Sequence, residues 1–125
     1  MDLGGHAHVE EAGNIISKLF PGRFRLVLGD SAITFPALQQ SGNVSCDVLR
    51  IDGSHLDGAP AIDFHNARRS LSGPRIVWMD DVGCSNWNCH EPTRVWRRAV
   101  AVEQVVEKRC HVEDETHGFC VGVLL

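Results

Sequence analysis

Residues 47–55, Asp-Val-Leu-Arg-Ile-Asp-Gly-Ser-His, and residues 75–82, Arg-Ile-Val-Trp-Met-Asp-Asp-Val, decide the fold class of this chain. Each is a short aliphatic run that ends on acid. Branched aliphatic side chains suit a pleated, half-buried surface, and Asp52-Gly53 and Asp80-Asp81 close the two runs. Between them, Ala59, Ile62 and Ala67 recur at helical spacing within residues 56–71, and Gly73-Pro74 breaks the chain before the second run. Strand, helix and strand in that order form a βαβ unit, whose two strands lie parallel with their carboxyl ends on one edge.

The pattern extends in both directions. Upstream, Val9, Ala12, Ile16, Leu19 and Phe20 predict a helix over residues 7–20, stopped by Pro21-Gly22. Residues 24–28 read as a strand, closed by Gly29-Asp30. Ser31 caps a short helix to about Gln40, made irregular by Pro36. The strand that holds Asp52 begins at Cys46. Downstream, residues 80–91 form a polar loop, and Pro92 opens a helix with Val95, Trp96, Ala99 and Val100 on one side. Residues 105–112 and 119–125 are two more strands, joined through Asp114-Glu115-Thr116-His117-Gly118 as a hairpin. The expected fold is α/β, one domain over residues 1–125, with a mainly parallel sheet and a C-terminal antiparallel hairpin.

Composition narrows the function classes. The 125 residues are 43% hydrophobic and 22% charged, with a net charge of −4. Arg94, Arg97 and Arg98 read as a solvated helix face, so no nucleic-acid footprint is expected. No apolar run approaches the roughly 18 residues of a membrane span, and the N-terminus has no signal pattern. Cysteines at 46, 84, 89, 110 and 120 are odd in number and scattered, which favours a reducing, cytoplasmic setting. Asn43-Val44-Ser45 matches a glycosylation acceptor and reads as a chance match.

In an open parallel sheet, ligands bind beyond the carboxyl ends of the strands. Asp30, Asp52, Asp80 and Asp81 stand there, and Asp2 ends a strand-like stub at the N-terminus. Some of these acids can cap the helices that follow. Adjacent Asp80 and Asp81 cannot both do so, and acids gathered on one rim repel unless a cation lies between them. Oxygen ligands from two strand ends suit Mg²⁺ or a similar hard divalent metal.

Gly29-Asp30-Ser31, the run from Asp47 to His55 and the run from Val77 to Val82 together resemble three successive strand-end motifs of class I S-adenosylmethionine-dependent methyltransferases. The lead-in Phe20-Pro21-Gly22-Arg23-Phe24 and the turn Ser72-Gly73-Pro74 fit the same pattern. The resemblance implies a partial Rossmann-like sheet that lacks the family's first strand and glycine-rich cofactor loop, as in a fragment of a longer domain. It implies S-adenosylmethionine as cofactor, with Asp2 at the ribose, Asp30 and Ser31 at the adenine, and Asp52 beside them. In the metal-dependent, catechol O-methyltransferase-like branch, the metal ligands align with Asp52, Asp80 and Asp81. The usual third ligand there is Asn, so Asp81 departs from the pattern. His55 takes the place of a lysine base and could accept a proton from a substrate hydroxyl near neutral pH. The alternative for His55 is a packing role in its loop. The implied reaction is O-methyl transfer to a small-molecule hydroxyl.

Two other readings compete. Cys84, Cys89, His90, Cys110 and His111 could supply a zinc module, although Cys110 and His111 point to opposite faces of one strand. A non-catalytic remnant could pair with another copy or a partner chain along an open sheet edge. Trp78 reads as a core residue, Trp96 as covering the sheet from its helix, and Trp87 as a wall of an acceptor pocket. Cys46 and Cys120 read as core; His90, His111 and His117 as surface; His6 and His8 as helix-start residues.

Overall fold

The computed structural model describes residues 6–42, 46–69 and 75–125. Asp2, the 43–45 acceptor match and the 72–74 turn lie outside the described residues. The chain divides into two compact units, Met1–Asn43 and Val44–Leu125.

The first unit holds helices α1 (Ala7–Leu19) and α2 (Ser31–Gln40). Helix α1 ends where the Phe20 amide bonds the Ile16 carbonyl, and Gly22 then turns the chain with φ +71°. Residues 24–28 are not a strand; only Leu28 makes a β-bridge. The aliphatic pattern there serves helix packing. A Cβ on Gly13 of α1 would lie 2.7 Å from Leu26 Cδ2, so the glycine admits Leu26 against the helix. Asp30 caps α2, its Oδ1 accepting from the Ala32 amide at 2.8 Å. Helix α2 runs through Pro36 rather than breaking there, with Phe35 buried beside it.

The second unit carries β1 (Val48–Ile51), α3 (Ala59–Arg69), β2 (Arg75–Asp80), a 3₁₀ turn (Trp87–Cys89), α4 (His90–Ala101), β3 (Val105–Val112) and β4 (Gly118–Leu124). The strand order is β1-β2-β4-β3. Strands β1 and β2 are parallel, with Ile51 opposite Met79, as the βαβ reading requires. The other two pairings, β2 with β4 and β4 with β3, are antiparallel. The four-stranded sheet is therefore mixed, and the mainly parallel expectation is corrected. The run at 24–28 was to supply a further parallel strand, while the hairpin sets β4 antiparallel in the sheet as expected.

Helices α3 and α4 cover one face of the sheet. Phe64 and Ala67 of α3 and Val95, Trp96 and Ala99 of α4 bury Ile51, Val77, Met79, Val105, Cys120 and Leu124. Burying side chains of this size stabilises the unit by about 1.5–3 kcal/mol each before entropy is counted. Trp96 is fully buried, and its indole N–H donates to Glu107 Oε2 at 2.7 Å. Gly122 makes room for that ring, since a Cβ there would lie 3.2 Å from Trp96 Cη2 and 2.5 Å from Val105 Cγ1. Helix α4 begins two residues before Pro92. Asn86 caps the preceding 3₁₀ turn, and Pro92 becomes the third helical residue, whose amide would have no intrahelical partner in any case.

Four cysteines are paired. Cys84 joins Cys89 across the 83–91 loop, and Cys110 joins Cys120 at directly opposed positions of the hairpin. Cys46 alone is free. The reducing setting was expected from the odd, scattered cysteines, of which four are paired. An odd total concealed two local bridges. No helix among the described residues is long and apolar enough to cross a membrane.

Candidate functional site

The parallel pairing of β1 and β2 brings their carboxyl ends together. Asp52 follows β1, Asp80 is the last residue of β2, and Asp81 follows it. Asp81 takes φ +54°, a left-handed conformation uncommon for any residue but glycine. This turn directs its carboxylate to the 52–58 loop, where Oδ2 lies 3.2 Å from His55 Nε2. Both side chains are largely shielded, 20% exposed for His55 and 15% for Asp81. A carboxylate against one ring nitrogen fixes the imidazole's orientation.

Arg50 sits one strand step before Asp52 on the same face of β1, opposite Trp78 in the register. Its guanidinium bonds Asp80, reaches Asp52 at 3.0 Å and lies 5.8 Å from the Trp78 ring centroid. The hydrogen bond to Asp80 raises the Arg50 pKa further, so this cation persists at any working pH. Asp52 has its pKa raised above the usual carboxylate value. Burial is the main cause, followed by the neighbouring charge of Asp80, and Asp81 adds to it; Arg50 and His55 act in the opposite sense. The rim therefore carries more negative charge than Arg50 alone relieves.

The three expected acids do not form one cluster. Asp80 pairs with Arg50 and Asp81 with His55, while Asp52 faces both. The group whose ligand atoms lie within 4.8 Å of one another is Asp52, His55 and Asp81. Asp81 belongs to a second such group with Cys84 and Cys89. Asp30 is exposed at the start of α2 and Ser31 is partly covered; both lie in the first unit.

The loop beyond Asp81 is fastened at several points. The Val82 amide bonds the Gly118 carbonyl at 3.1 Å, and the Gly83 amide bonds Thr93 Oγ1 at 2.8 Å. Ser85 and Asn86 both donate to the Glu115 carbonyl, at 3.1 and 2.9 Å. Trp87, read as a pocket wall, projects from this loop and is 65% exposed. Trp78, expected in the core, is only partly covered and stacks on Phe119 at 4.5 Å, and Trp96 covers the sheet from α4 as expected. His6, His8, His90, His111 and His117 are all exposed. Cys120 is buried as expected, and Cys46 is partly covered.

Sequence reasoning missed Arg50 and the Cys84–Cys89 pairing. The signal for Arg50 was present: Arg50-Ile51-Asp52 alternates along a strand, so the two charged side chains share a face.

No known protein family matches the chain, and neither does any curated protein. Among solved structures, an O-methyltransferase from Bacillus cereus in complex with SAH is similar, with a TM-score of 0.62 and 19% identity. The match covers 96% of this chain and 58% of that one. It shows that the two chains share a fold. The chain spans little more than half the length of that protein.

Proposed function

We propose that this chain carries the catalytic rim of an S-adenosylmethionine-dependent O-methyltransferase domain whose acceptor is a small-molecule hydroxyl. The observation that carries the reading is the group Asp52, His55 and Asp81, placed at the carboxyl ends of adjacent parallel strands in a sheet of the methyltransferase class. The Bacillus cereus protein, solved with SAH, supports the cofactor class.

The residues fit a hard divalent cation. Asp52 and Asp81 offer carboxylate oxygens within bridging distance of each other, with charge left to neutralise. Asp80 would join them by releasing Arg50. A bound Mg²⁺ would supply Lewis acidity that lowers the pKa of a hydroxyl. S-adenosylmethionine would supply the electrophilic methyl group. His55 accepts the hydroxyl proton, and Asp81 holds the ring for that transfer. Until a cation draws Asp80 away, the ion pair with Arg50 anchors it at the rim. Trp87 walls the acceptor side. Asp2, Asp30, Ser31 and Asp52 are the proposed cofactor contacts.

Calorimetric titration of S-adenosylhomocysteine, with and without Mg²⁺, tests this reading. Micromolar binding, weakened in Asp30→Ala and Asp52→Ala, is expected. A folded sample with no binding would exclude a cofactor site in this chain.

A further inference from the structure

Asp81 faces two ways. On one side are Asp52 and His55; on the other are the sulfurs of Cys84 and Cys89, with one carboxylate oxygen and both sulfurs mutually within 4.8 Å. The sulfurs are shielded from water, Cys84 at 7% exposure and Cys89 at 0%. We infer that reduction of the Cys84–Cys89 disulfide converts this place into a zinc site with Asp81, Cys84 and Cys89 as ligands. The inference goes beyond methyl transfer and does not rest on it.

The chemistry balances with a dithiol as reductant. One thiolate of the dithiol attacks a sulfur of the Cys84–Cys89 bond, its second thiol resolves the mixed disulfide, and the dithiol leaves as its own cyclic disulfide. Two electrons and two protons pass to the protein sulfurs. Zinc binding then displaces both thiol protons to solvent, because the thiolate is the ligand.

Three features favour the site. The first is ligand type: two thiolates and a carboxylate suit zinc far better than Mg²⁺. The second is spacing, since four residues separate the cysteines, within the range of zinc pairs. The third is backbone anchorage. Bonds from the amides of Val82, Gly83, Ser85, Asn86 and Cys89 hold the loop independently of the sulfur bond, so the freed thiols stay near Asp81. Three protein ligands leave a fourth position open, the pattern of zinc sites that accept water or a substrate atom. Asp81 cannot serve both groups equally, so zinc occupancy would draw it from His55. The redox state of the loop thereby selects which cation the rim holds.

The other bridge offers a similar set on paper, Glu107 with Cys110 and Cys120. There, Glu107 already accepts the Trp96 indole, and Cys110 is exposed. The test therefore uses the full chain carrying Cys110→Ser and Cys120→Ser, with Co²⁺ as probe. After reduction by a dithiol and its removal, Co²⁺ should give a thiolate charge-transfer band at one ion per chain, and Zn²⁺ should abolish it. The oxidised chain should give none. The band should vanish on adding Cys84→Ser and Cys89→Ser, and should persist in Asp52→Asn, which removes a carboxylate outside the Asp81, Cys84 and Cys89 set. No band in the reduced chain, or a band that survives loss of both cysteines, overturns the inference. In wild-type protein after reduction, Zn²⁺ should slow alkylation of Cys84 and Cys89 relative to Cys46, read by mass spectrometry. Equal rates also overturn it. Cofactor binding is scored separately by S-adenosylhomocysteine titration, so failure of one reading leaves the other standing.

Discussion

The Asp81 carboxylate and the His55 imidazole meet at 3.2 Å across the end of the parallel strand pair, both largely shielded from solvent. The contact depends on the left-handed backbone at Asp81, since an extended residue there would continue the strand past the 52–58 loop. A carboxylate that orients an imidazole makes it a better-placed base.

Replacement of His55 tests that role. His55→Ala should lower the methyl-transfer rate by about 10²- to 10⁴-fold, the usual contribution of a general base. Binding of S-adenosylhomocysteine should change little. Asp81→Asn should act in the same direction and should also weaken Mg²⁺ binding. Rates measured at saturating cofactor check both, and an unchanged His55→Ala rate would remove His55 from the mechanism.

Arg50 makes a separate prediction. Its side chain is 58% exposed, so its pairs with Asp52 and Asp80 contribute at most about 1 kcal/mol to stability. Its larger effect is on charge. Arg50→Met leaves Asp52, Asp80 and Asp81 without their permanent cation. Divalent ions should then bind more tightly and raise the melting temperature more than in the wild type. Thermal melts with and without Mg²⁺ measure the difference, and an equal rise in both proteins would count against a shared carboxylate site.

Much of the second unit was legible because its signals are local. Ile76, Val77, Trp78 and Met79 alternate between faces and end on acid, and that run is β2. Val95, Trp96 and Ala99 lie on one side of α4, and all three are buried. The hairpin showed itself in the polar 114–118 segment between two aliphatic runs. What was not legible depends on register and tertiary contact. Residues 24–28 have strand composition, yet Leu26 packs on Gly13 and the run forms no ladder. Acids at two strand ends, Asp52 and the adjacent Asp80 and Asp81, suggested one metal group, and the parallel register added Arg50 beside Asp80 while the turn at Asp81 added His55. Disulfide pairing is likewise a matter of distance in space, which an odd cysteine count cannot reveal.

Gly118 connects the hairpin to the rim and gives a stability prediction. A Cβ there would lie 2.5 Å from the Val82 carbonyl oxygen and 3.2 Å from the His111 carbonyl oxygen. Both obstacles are backbone, so neither can swing aside. Gly118→Ala should destabilise the protein by about 1–3 kcal/mol, the cost of overpacking. It should also weaken the Val82–Gly118 bond that steadies the residues after Asp81. Denaturant unfolding measures the first effect, and amide exchange at Val82 the second.

Asp114 predicts how this support responds to acid. Its carboxylate accepts from the Thr116 hydroxyl and amide, at 2.7 and 2.6 Å, and from the His117 amide at 2.8 Å. These bonds, the Thr116 hydroxyl first, lower its pKa from 3.8 to about 2. A carboxyl that is more acidic when folded binds its proton more weakly there than in the unfolded chain. Its contribution to stability is therefore complete above the unfolded value of 3.8 and is lost as pH falls through about 2. The turn it closes also positions the Glu115 carbonyl, which holds the amides of Ser85 and Asn86. Acid should loosen the 83–91 loop before the sheet unfolds. Asp114→Ala should reproduce that loosening at neutral pH and flatten the acid limb of the stability curve. Amide exchange at Ser85 and Asn86, followed from pH 5 to pH 2 in both proteins, reads the effect. Unaltered protection at these two amides in Asp114→Ala would show that the loop does not depend on the hairpin turn.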